Sequence, residues 1–208
     1  MIGVITGDLV GSTKSDTTVS YVAILETCMA IVNRNYSGTK AEVFRGDSFQ
    51  ISFEYPQYII EVAIFLRAFL ISQSENNNNK YDARLSIVIS DNDKSEFFFG
   101  KAYVDSGRRL DKMNKNREGM VFYSDNKILN EYVKPSIYLL DALIAKLSPP
   151  QANVLRFVLE KKDTDSHRLS IDTGTTRQNV SDIISRAKIM NFVDYVVSIN
   201  SIIKNQLI

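Results

Sequence analysis

The chain has 208 residues, 44% of them hydrophobic and 24% charged, and 25 Lys+Arg against 24 Asp+Glu leave a formal net charge of +1. That balance excludes a disordered polyelectrolyte and supplies no overall field for drawing in nucleic acid or an anionic membrane, so any basic site must be local. The length suits one large domain or two small ones, and the lone Cys28 excludes an intrachain disulfide and fits a reducing compartment.

Residues 2–9, IGVITGDL, read as a buried β-branched strand that delivers Asp8 to its C-terminal end. The apolar run of residues 1–10 lacks a basic flank and is broken by Asp8, so neither a signal peptide nor an anchor is expected, and the protein is expected to be cytoplasmic. After the turn GSTKSD, apolar residues recur at helical spacing over residues 19–33 (Val22, Leu25, Met29, Val32). AEVFRGDSFQISFE then holds two β-rich runs around Arg45-Gly46-Asp47-Ser48, which predicts a hairpin with a carboxylate at its tip. Residues 58–72 predict an apolar helix, residues 76–79 an Asn-rich loop, 84–90 a strand, 102–113 a helix rich in basic residues, and 119–124 another strand. The order β, α, β, β, α, β, α, β suggests a ferredoxin-like α/β sandwich.

No strand pattern follows Tyr132, and Ser148-Pro149-Pro150 is a cap followed by proline, a helix start. The expected organisation is a first domain over residues 1–132, a linking helix within 133–147 near 137–147, and an all-α helix-turn-helix domain over 148–208. In the last, helices are expected at 150–161, around 167–171 and at 176–190, with the turn Asp172-Thr173-Gly174-Thr175 before the recognition helix.

Two features carry chemistry. Asp8 with Gly11-Ser12-Thr13, and Asp47 in Gly46-Asp47-Ser48-Phe49, would meet at one sheet edge if the first strand lies beside the hairpin. Two carboxylates suit Mg²⁺ or Mn²⁺, and the Gly-Ser-Thr turn offers N–H groups to nucleotide phosphates. In the C-terminal part, Arg177, Gln178, Asn179 and Ser181 begin the expected recognition helix and would read base edges, while Arg186 and Lys188 would touch phosphates. Each has a plainer reading: a strand-end cap for Asp8, a hairpin turn for Asp47, and a packing module for the C-terminal helices. Residues 148–208 hold only eight Lys+Arg against six Asp+Glu. The run Phe97 to Phe99 reads as core or dimer interface, His167 has no partner for zinc, and Cys28 reads as core.

At these residues the chain resembles a family. TGDLVGST (6–13) and FRGDSF (44–49) are similar to the two metal-binding signatures of class III nucleotidyl cyclases, with RLSIVIS, GKAYVDSGRRLDKM and GMVFYS in the order of that domain's remaining elements, so the likeness spans residues 1–125. The bacterial SatD family is closer, with a Gly-Asp-hydrophobic start, a Gly-Asp-x-Phe-Gln hairpin (Gly46 to Gln50), a Gly-x-Ala-Tyr segment (Gly100 to Tyr103) and, in many members, a terminal helix-turn-helix. The resemblance implies a nucleotide cyclase-like fold in which Asp8 and Asp47 hold two metal ions and Arg109 is a catalytic, transition-state arginine. It also implies a homodimer with the site shared between subunits. Arg108 and Arg109 otherwise read as a solvated helix face.

The chain departs from the cyclase pattern in three places. Asp105 stands at the ribose-positioning asparagine, and Val43 and Phe97 stand at the base-selecting positions. Glu42 and Glu96 would serve only after a one-residue slip that turns them to the other strand face. The resulting expectation is a transcriptional regulator that binds a nucleotide with divalent metal through its first domain, Asp105 included, and DNA through its second. The alternative is an active nucleotidyl cyclase, or a related nucleotide-polymerising enzyme, using Asp8 and Asp47 for two-metal catalysis.

Overall fold

The computed structural model describes residues 1–10, 18–44, 46–77, 80–91, 100–114 and 118–207. It is a mixed α/β structure in which one five-stranded sheet and eight α-helices are formed by the described residues. The elements run β1 (Ile2–Leu9), α1 (Thr18–Asn35), β2 (Thr39–Phe44), β3 (Ser48–Phe53), a 3-10 turn (Pro56–Tyr58), α2 (Ile59–Ser72), β4 (Ala83–Ser90), α3 (Lys101–Lys112) and β5 (Met120–Ser124). Helices α4 (Lys127–Ala145), α5 (Pro149–Lys161), α6 (Ser166–Thr173), α7 (Arg177–Arg186) and α8 (Ile189–Asn205) follow. No helix among the described residues is long and apolar enough to cross a membrane.

The sheet order is β2-β3-β1-β4-β5, antiparallel except for β4 and β5, which are parallel and joined through α3. Register divides the residues into rows. Ala41, Ile51, Ile5, Ile87 and Phe122 lie in one row, and Val43, Phe49, Gly7, Leu85 and Met120 in the next, all on one face. On the other face the rows are Phe44-Ser48-Asp8-Arg84 and Glu42-Gln50-Thr6-Ser86-Val121. A period of two thus writes an apolar and a polar face into the same strands.

The apolar face is covered by α1, α2 and α4, whose Leu25, Cys28, Val32, Ile60, Ile64, Val133 and Ile137 join one core. Helix α2 is buried on every side from Ile59 to Ile71, because α5 and α8 pack on its far surface; the core runs on through Leu155, Val158 and Ile199 to Ile203. A helix apolar all round is what such double coverage needs. Gly7 is obligatory here: an added Cβ would lie 2.4 Å from the Phe49 ring and 2.9 Å from the Arg84 carbonyl oxygen. Among the described residues the polar face carries only α3, which rests on Val4 and Val88 through Ala102.

Two expectations of the sequence need correction. The linking helix expected near 137–147 begins ten residues earlier than that, at Lys127, capped by Asn126 accepting from Ile128 and Leu129 N–H, and it packs on β5 as part of the first layer. The recognition helix expected over 176–190 stops at Arg186; Lys188 adopts φ 53° and starts the separate α8. The helix start at 148–150 is present, with a capping box between Ser148 and Gln151.

Candidate functional site

The β1–β3 register puts Asp8 opposite Ser48, and the Leu9 N–H donates to the Asp47 carbonyl at 3.1 Å, so both aspartates stand at one end of the sheet. The Asp8 carboxylate is engaged by a group the motif reading passed over. Arg84, its cross-strand partner on β4, donates through Nε to Oδ1 at 3.0 Å and through Nη2 to Oδ2. This fork-on-carboxylate pair supplies, from the protein itself, the positive charge that a divalent ion would bring. Hard cations take six or more oxygens, and no group of three or more Asp, Glu, His or Cys suited to a metal occurs among the described residues. As arranged, Asp8 fits a metal only if Arg84 lets go.

One strand step along, a directional hydrogen-bond chain crosses the face. Gln50 Nε2 donates to Thr6 Oγ1 at 2.9 Å, the Thr6 and Ser106 hydroxyls lie 2.6 Å apart, and Ser106 Oγ donates to the Tyr103 carbonyl at 2.9 Å. Since Ser106 spends its proton on Tyr103, the Thr6 hydroxyl donates to Ser106 and is free to accept from Gln50. Helix α3 is therefore fixed to β1 by polar as well as apolar contact. Among the described residues, Arg84 Nη1, Ser86 Oγ, Arg109 Nε and Asn200 Oδ1 are buried without a hydrogen-bond partner, and Arg84 and Ser86 belong to this face. Buried polar groups are seldom left unpaired.

The other expected residues fall as follows. Arg109 stacks on Tyr123 of β5, 3.5 Å from the ring centroid, and β5 lies on the side of β4 away from Asp8. Asp105 is half-buried on α3. Val43 packs against the core, and it is Glu42 that shares the face of Asp8, Thr6 and Gln50, where it pairs with Lys40 at 2.8 Å. Gly11, Ser12 and Thr13 lie outside the described residues, as do Arg45, Glu96 and Phe97 to Phe99.

Beside Arg84 opens a cavity of about 750 Å³, bordered by Val10, Asp82, Glu118, Gly119 and Tyr138. Its wall is a buried ion triad. Arg67, on α2, donates to Asp82 from Nε at 2.8 Å and Nη2 at 2.6 Å, and to Asp141 of α4 from Nη1 at 2.6 Å. Burial alone would favour the neutral guanidine, but Asp82 and Asp141 outweigh it and hold Arg67 charged. Asp141 also accepts from the Gly119 and Met120 N–H groups at 2.8 and 3.2 Å. Neither Arg67 nor its partners carried a motif, because 15 and 74 residues separate them along the chain.

In the C-terminal part, α6 ends on Gly174 at φ 67°, and the Thr176 side chain caps α7 by accepting from the Asn179 N–H at 3.1 Å. Val180 is buried and anchors α7, while Arg177, Gln178, Asn179 and Ser181 are exposed. Asn179 Nδ2 donates to Thr175 Oγ1 at 3.0 Å, and Arg177 Nε to Ser166 Oγ at 3.2 Å. Arg186 and Lys188 lie apart from that turn, on a groove between α4 and the α7–α8 junction. Compared with family models, with curated proteins and with solved structures, the chain finds no match.

Proposed function

We propose that the protein is a DNA-binding regulator whose sheet-bearing part binds a nucleotide with Mg²⁺ or Mn²⁺. The observation that carries this reading is the first turn of α7: four polar side chains stand exposed on a capped helix behind the αL turn of Gly174. A helix entering a major groove by its N-terminus uses such a turn. Its pairing with α6 supports a helix-turn-helix, and the order β2-β3-β1-β4 around β-α-β-β-α-β supports a ferredoxin-like core. The nucleotide half is supported by Arg84 and Asp8. A metal ion that takes Asp8 and Asp47 would release Arg84 to the phosphates, with Asp105, Gly11, Ser12 and Thr13 as further contacts. Binding is favoured over turnover because Arg109 is committed to Tyr123.

Both halves are testable. Calorimetric titration with Mn²⁺ and each NTP should give binding that Asp47→Ala abolishes, whereas Arg84→Gln should strengthen Mn²⁺ binding and weaken the nucleotide. If no NTP binds the wild type, the nucleotide half is wrong; a cyclic or linear nucleotide product would turn the reading to the cyclase. For DNA, Arg177→Ala should cost about 1–3 kcal/mol on a specific fragment if it reads guanine. Equal binding by wild type and Arg177→Ala at two salt concentrations would make the C-terminal helices a packing module.

A further inference from the structure

Helix α4 carries two apolar stripes, and only one of them is used. Leu129, Val133, Ile137, Leu140 and Ile144 are buried against the sheet layer. On a helix of 3.6 residues per turn, Ile128, Tyr132, Leu139 and Leu143 fall within about 60° of one another on a different side. They are 45%, 62%, 71% and 55% exposed. Isolated exposed apolar residues are ordinary, but a continuous stripe along a whole helix marks a contact surface.

The spacing of that stripe identifies its occupant. Ile128 and Leu143 are equidistant from the midpoint between Pro135 and Ser136, and so are Tyr132 and Leu139. A two-fold axis through that point therefore lays Ile128 on Leu143 and Tyr132 on Leu139 of a second antiparallel α4, as an isologous interface requires. Lys146, exposed and in no ion pair among the described residues, is equidistant with Asp125, whose carboxylate is already held by Lys101 and Ser90 in the same chain. Lys146 shares its groove, about 530 Å³ and floored by Leu140, Leu147 and Phe192, with Arg186 and Lys188. An antiparallel pair also sets the two helix dipoles in opposition. Lys127 and Lys134 turn more than about 120° away from the middle of the stripe on this helical geometry. The stripe and its rim amount to roughly 500 Å² per copy, which reaches the range where specific interfaces begin.

We infer that the protein forms a homodimer through an antiparallel α4–α4 contact centred on Pro135 and Ser136. This contact is independent of the nucleotide and DNA readings and stands or falls by itself. Sedimentation and light scattering of the full chain should give twice the monomer mass. Leu139→Glu should weaken the dimer at least tenfold while leaving the circular dichroism and melting temperature of the monomer in place, because Leu139 supports no internal packing. Pro135→Cys, exposed beside the axis, should cross-link to itself on mild oxidation, the other thiol, Cys28, being buried. A wild type that stays monomeric, a Leu139→Glu dimer of unchanged affinity, or a Pro135→Cys dimer that does not cross-link would each overturn the proposal.

Discussion

Gln50 and Ile51 are consecutive on β3, yet Gln50 ends in a hydrogen-bonded row under α3 and Ile51 in a fully buried core. The same contrast holds for Thr6 against Ile5. One sheet face is sealed by helices that share a single core; among the described residues the other carries α3 over a small apolar cluster of Val4, Val88 and Ala102 with Ile2, Tyr103 and Tyr123 around it. Apolar burial fixes the strands from behind, and this leaves side chains on the front free to be chosen for chemistry. Asp8, Arg84 and Glu42 are all on the front.

That division can be broken from behind with the largest effect. Arg67→Met would leave the Asp82 and Asp141 carboxylates without their shared cation, at a cost of about 3–5 kcal/mol in urea unfolding. Ile51→Ala should cost about 2–5 kcal/mol by transfer and cavity terms. Gly7→Ala should follow with about 1–3 kcal/mol, as Phe49 must move. Gln50→Ala should stay within about 1 kcal/mol, because it loses one half-exposed hydrogen bond. Equal losses for Gln50→Ala and Ile51→Ala would remove the distinction between the faces.

Acidity sharpens the same contrast at the small end of the scale. Burial pushes Cys28, Tyr21 and Tyr36, all behind the sheet, above their ordinary values. As pH rises, the unfolded chain releases these protons first, so it binds fewer protons than the native state and stability declines above about pH 9. Unfolding measured from pH 7 to 10 should show that decline, and thiol reagents should label Cys28 only as fast as the chain opens.

The strand and helix order through β5 was legible because the strands are short β-branched runs and α1 repeats with a helical period. The α7–α8 break was not, since its αL residue is Lys188 where glycine would have been the signal. Helix α4 was read too short because its two apolar stripes blur the single periodicity that marks a helix. At the site, Asp8 was visible as a strand-end carboxylate, whereas Arg84 looked like the polar first residue of a strand. Only cross-strand register, which pairs positions 76 apart, makes it a partner. The same register decides that Glu42 and not Val43 shares the site face.

Helix α2 has no surface of its own. The sheet takes one side and α5 and α8 the other, so it belongs equally to the sheet-bearing half and to the helices that follow. A chain cut after Tyr132 would lay bare an unbroken apolar cylinder and aggregate. Intact, α2 is a wall shared by two packed layers, and because close-packed interiors transmit strain, a core substitution in α2 should be felt on both of its sides.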